Sequence, residues 1–138
     1  MPHLSVFLVR ASLVLLCIGA ALGSWLLAGA PARAGTHPAL RDTHVALMLF
    51  GWLVPFVVGT GYWMLPKHPG SSPRGSPGLG WGAVLTYAAG LGSRVTGSLL
   101  GLADVRAAGT LGLVVGLAGL VLLLWGRVRP FGAGRPAG

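Results

Sequence analysis

Residues 43–66 read Thr-His-Val-Ala-Leu-Met-Leu-Phe-Gly-Trp-Leu-Val-Pro-Phe-Val-Val-Gly-Thr-Gly-Tyr-Trp-Met-Leu-Pro. The stretch is long enough to cross a bilayer, which takes about 20 residues as a helix. Apart from Tyr62, its one ionisable side chain is His44, at the entrance. An imidazole is costly in hydrocarbon unless it binds something, so a histidine inside such a run is a candidate functional residue. On a helix of 100° per residue, Gly51 falls about 20° to one side of His44, Pro55 about 20° to the other and Met48 about 40° away. A histidine with a small residue two turns below it leaves room for a flat ligand. Haem is the ligand this pattern brings forward.

Working outward, the composition sets the surroundings. Hydrophobic residues make up 54% of the chain and charged residues 9%, and Glu, Asn and Gln are absent. A water-soluble domain of 138 residues cannot cover its surface with so few polar groups, so the chain reads as an integral membrane protein. The net charge of +8 falls mainly in connections and the tail. There it reads as a topology signal and as contact with anionic membrane lipid, not as a nucleic-acid surface. The single cysteine, Cys17, lies in the first apolar run, where no intrachain disulfide is possible.

Four apolar runs emerge, at about 6–27, 43–65, 79–100 and 107–125. The expected fold is all-α: a four-transmembrane-helix bundle forming a single domain over residues 1–130, with 131–138 a basic, flexible tail. The first run is longer than a secretory h-region and so reads as a retained span. Pro, Gly, Ser and Arg residues break the chain after the first two runs, whereas the third break, Gly101–Arg106, is short enough for an antiparallel hairpin. The N-terminus, the 66–77 loop and the tail would share one face that carries Arg10, Lys67, Arg74, Arg127, Arg129 and Arg135 and no acid; both aspartates fall on the other. Positive charge inside predicts both termini in the cytoplasm, in a multi-pass protein of the inner (plasma) membrane. Tyr62, Trp63, Trp81 and Trp125 then form an inner aromatic belt. Glycines at three- and four-residue spacing, Gly109, Gly112, Gly116 and Gly119 foremost, predict close helix packing, within the chain or between subunits.

The run from His44 to Pro66 resembles the second transmembrane helix of haem–copper oxidase and nitric oxide reductase catalytic subunits. The likeness rests on His44, Phe50-Gly51-Trp52, a further glycine at 59 or 61, and Leu65-Pro66. It implies that His44 ligates haem b as its metal ligand, near the outer membrane face. Those subunits have about twelve spans in three arcs of four and several further histidines; spans one, three and four here have none. A binuclear centre within one chain is therefore excluded by ligand count. A second axial ligand is missing too, which predicts a homo-oligomer, a trimer or dimer, or membership of a respiratory complex.

The remaining candidates surround His44. Met48, Gly51 and Trp52 are expected to line the cofactor site. Trp52 lies too deep for a belt residue. Arg41 and Arg94 suit bidentate pairing with haem propionates, while Arg94 has Asp104 or a backbone carbonyl as alternative partners. Two readings remain open. One is a small b-type cytochrome-like protein for electron transfer, haem handling or binding of a diatomic gas. The other is a non-catalytic accessory or assembly subunit of a respiratory membrane complex, without its own cofactor, in which His44 bonds Asp42 or lipid headgroups.

Overall fold

The structure, a computed structural model, describes residues 2–29, 37–65, 76–125 and 127–128. The 66–75 connection and the tail beyond 128, to which the sequence assigns loop and flexible-tail roles, lie outside the described residues. All regular structure among the described residues is helical. Helix α1 spans His3–Leu27 and a second rod runs from α2 (His37–Ala46) through a π-helical segment (Leu47–Leu53) into α3 (Val54–Met64). Helices α4 (Pro77–Leu100) and α5 (Ala103–Trp125) complete the chain. All four rods start before the expected runs, by two to six residues, because polar first turns can be helical while contributing nothing to an apolar signal.

Three of the four rods, α1, residues 38–64 and α5, are long and apolar enough to cross a membrane. Helix α4 has the length, at 24 residues, but Ser93, Arg94, Thr96, Ser98 and its glycines dilute its hydropathy. The outward faces agree with an apolar surrounding: Leu13, Val14 and Ile18 of α1 and Leu111, Val115 and Leu122 of α5 are exposed.

The π-helical segment has a cause in Pro55. Proline supplies no N–H and would leave a carbonyl one turn earlier without a donor. In the wider register the Val54 N–H bonds the Leu49 carbonyl, five residues back, which moves the orphaned carbonyl to Phe50. The Tyr87 hydroxyl donates to that oxygen at 2.8 Å. A tyrosine on α4 thus replaces the hydrogen bond that Pro55 cannot make. The wider turn is of the kind that recurs at functional sites.

Helix α1 lies along the second rod. Ser5 Oγ donates to the Gly59 carbonyl at 2.6 Å, and a Cβ at Gly59 would sit 2.9 Å from Leu8 Cβ. The α4–α5 pair is the expected hairpin, turned by Gly101 in the left-handed region at φ 69°. Gly109, Gly112 and Gly116 all face α4. A Cβ on Gly112 would lie 3.0 Å from Gly90 Cα, and one on Gly116 only 2.6 Å from Tyr87 Cα. The glycine stripe of the fourth run is therefore consumed by packing inside the chain.

At the end shared by His3, Leu65 and Trp125, the Arg127 guanidinium donates to the carbonyls of Tyr62 (2.9 Å) and Leu65 (2.7 Å). It thereby caps the last turn of α3. It also sits over the Tyr62 ring, 5.1 Å from its centroid. Tyr62 is buried and so departs from its expected place in a lipid-facing belt, whereas Trp63, Trp81 and Trp125 are exposed as that belt requires.

Candidate functional site

His44 sits near the end of α2, where that helix crosses the last turns of α1. Two glycines make the approach possible. A Cβ on Gly23 would lie 2.6 Å from His44 Cε1 and 3.0 Å from Nδ1, so the imidazole rests directly on the α1 backbone. Nδ1 is 2.8 Å from the Gly19 carbonyl oxygen. A carbonyl only accepts, so Nδ1 carries the proton and donates. In the neutral ring Nε2 then holds the lone pair. A backbone carbonyl on one imidazole nitrogen, fixing the tautomer and orientation of the other, is the usual outer-shell arrangement of a metal-ligating histidine. The Asp42 partner that the sequence allowed for a purely interfacial His44 is engaged elsewhere.

His44 borders a cleft of about 480 Å³, lined also by Ala20, Gly23, Ser24, Leu26, Leu27 and Arg41. Its size falls within the ordinary range for small-molecule and cofactor sites. Arg41 precedes His44 by three residues, so helical geometry carries both side chains to the same opening. The walls are mostly aliphatic, with one cation and one hydroxyl at the margin.

The other expected site residues disperse. Met48 does not line the cleft: its sulfur packs against Gly19, where a Cβ would lie 2.8 Å from it. Gly51 is buried, and the space beside it is filled by Leu15 and Leu91, 3.2 and 3.5 Å from where a Cβ would stand. The room that the periodicity leaves below His44 is thus a helix–helix contact. Trp52 is half-buried on the π-helical segment and is not part of the cleft wall.

Arg94 pairs with Asp42, Nη2 to Oδ1 at 2.8 Å, not with Asp104. Its other terminal nitrogen donates to Thr110 Oγ1 at 3.0 Å, and Ser98 Oγ donates to Asp42 Oδ2 at 2.5 Å. This cluster ties α2 to both helices of the hairpin. It sits two residues from His44 and fixes the rotation of α2 that turns Arg41 and His44 toward α1. The sequence brings forward neither Asp42 and Ser98 as a clamp nor Gly19 and Gly23 as a histidine cradle. The signal for the cradle is present, since two small residues four apart on α1 are what a flat ring needs, but their spacing equally suits ordinary packing.

Among the described residues no group of three or more His, Cys, Asp or Glu side chains converges to hold a bare metal ion. No protein-family profile, no curated protein and no solved structure matches this chain.

Proposed function

We propose that the chain is a small b-type cytochrome-like membrane protein that binds haem through His44 Nε2. The observation that carries this reading is the 2.8 Å bond from His44 Nδ1 to the Gly19 carbonyl, which leaves Nε2 as a lone-pair donor beside an aliphatic cleft. A macrocycle supplies four nitrogens of its own, so one imidazole suffices as its protein ligand. Arg41, at the cleft margin, would pair with a propionate. Bound haem would supply a redox-active iron for electron transfer, haem handling or binding of a diatomic gas. The residues of this chain orient the ligand nitrogen, hold a carboxylate edge and keep water from one face.

The cleft is lined by α1 and α2 alone, and a haem there would have its second face uncovered. The proposed assembly is a homo-oligomer, a dimer or trimer, in which His44 of another copy would supply the second protein ligand. In the membrane all four rods span, α4 packed along α5, with both termini on the cytoplasmic side by the charge bias. A second reading has its own support: the close seat of the imidazole on Gly23 also suits a histidine that only locks α1 to α2, as in an accessory subunit.

One comparison separates the two. Wild type and His44→Ala are purified from haem-replete cells, and Soret absorbance per chain is read with assembly size. The cytochrome reading expects a Soret band in wild type and its loss in the variant. A colourless wild type, or an unchanged spectrum in His44→Ala, refutes the ligand assignment. Thiol labelling of Ser76→Cys and Ala103→Cys in a Cys17→Ser background reads the topology; labelling of position 76 from outside, with 103 protected, reverses it.

A further inference from the structure

We infer that the first three turns of α1 form a binding site for one anionic phospholipid, with Arg10 as the phosphate ligand. His3 and Arg10 are seven residues apart, so they project within about 20° of each other on the helix. Together with Phe7 and Val14 they border one groove of about 700 Å³ on the outward side of α1. Both side chains are exposed. Arg10 lies about 10 Å along the axis from the start of the helix, deeper than a residue at the surface. Phe7 closes one side by packing on Trp81 of α4, ring centroids 5.4 Å apart. The result is an apolar trough with a guanidinium partway down and an imidazole at its mouth.

Charge decides the occupant. A guanidinium facing hydrocarbon needs an anion or water, and no ion pair to Arg10 occurs among the described residues. No side-chain carboxylate of a second copy reaches Arg10. The only two acids of the sequence are Asp42 and Asp104. Asp42 lies beside His44, which packs on Gly23 at the opposite end of α1, some 20 Å away by helical rise. Asp104 opens α5, next to the α4 end that carries Arg94, the partner of Asp42. Copies inserted in the same orientation keep both acids in the far leaflet. A phosphodiester in the near leaflet fits: its oxygens accept from Arg10 in a forked pair and from His3 nearer the surface. Its acyl chains lie along Phe7 and Val14.

The inference rests on α1 being a membrane span and is independent of haem. The test is native mass spectrometry of the detergent-purified full chain, titrated with phosphatidylglycerol and with phosphatidylcholine of identical acyl chains. Wild type should prefer phosphatidylglycerol by about five- to tenfold, the worth of one charge-assisted contact. Arg10→Gln should bring the two lipids within about twofold, while Arg10→Lys keeps most of the preference and shows that the fold tolerates change there. Equal retention of both lipids by wild type overturns the site. So does an unaltered preference in Arg10→Gln, or a change of oligomeric state in that variant without loss of lipid.

Discussion

Gly23→Ala is the smallest change that tests the seat of His44. The new Cβ would stand 2.6 Å from His44 Cε1, whereas carbon atoms prefer about 3.5–4.0 Å. The ring must therefore retreat by about 1 Å. A displacement of that size is enough to break a 2.8 Å bond from Nδ1 to the Gly19 carbonyl. Overpacking of this kind costs about 1–3 kcal/mol, and the lost hydrogen bond adds about 1 kcal/mol. Alanine returns about 1 kcal/mol through its better helix propensity, which leaves a net loss of about 1–3 kcal/mol. The matched control is Gly92→Ala, where the added Cβ meets nothing within 4 Å and only the propensity gain applies. The assay is thermal unfolding of both variants in the same detergent, followed by circular dichroism. Gly23→Ala should unfold at lower temperature than wild type and Gly92→Ala should not. If the two unfold together, the imidazole does not rest on α1 as described, and the tautomer argument for Nε2 loses its basis.

Tyr87→Phe should lower stability by about 1–3 kcal/mol, because it leaves the Phe50 carbonyl with no donor beside Pro55; unfolding equilibria in mixed detergent measure this, and adding Pro55→Ala should recover much of the loss. Asp42→Asn and Arg94→Gln should each destabilise the chain, while the double variant costs less than their sum, with a coupling of about 0.5–3 kcal/mol read by a double-mutant cycle. Strict additivity would mean that the 2.8 Å pair contributes nothing to holding α2.

The sequence by itself determined the class of structure. Four apolar runs in a chain with so few charges leave only helices in an apolar surrounding, because helices satisfy every backbone group locally. The hairpin at Gly101 was legible for the same local reason, and so was His44, since an imidazole in an apolar run stands out in one dimension. Tertiary structure decided what each polar group meets. Periodicity placed Gly51 below His44 as open space, but Leu15 from α1 fills it, and no single-helix pattern records what a neighbouring helix brings. Arg94 had three possible partners by depth alone; the crossing of α2 over α4 selected Asp42, 52 residues earlier. The π-helical turn depends on Pro55 and on Tyr87 being in reach of Phe50, two facts 32 positions apart in the numbering. The tautomer of His44 belongs to the same group, because the carbonyl that fixes it lies on another helix and backbone oxygens leave no trace in side-chain pattern.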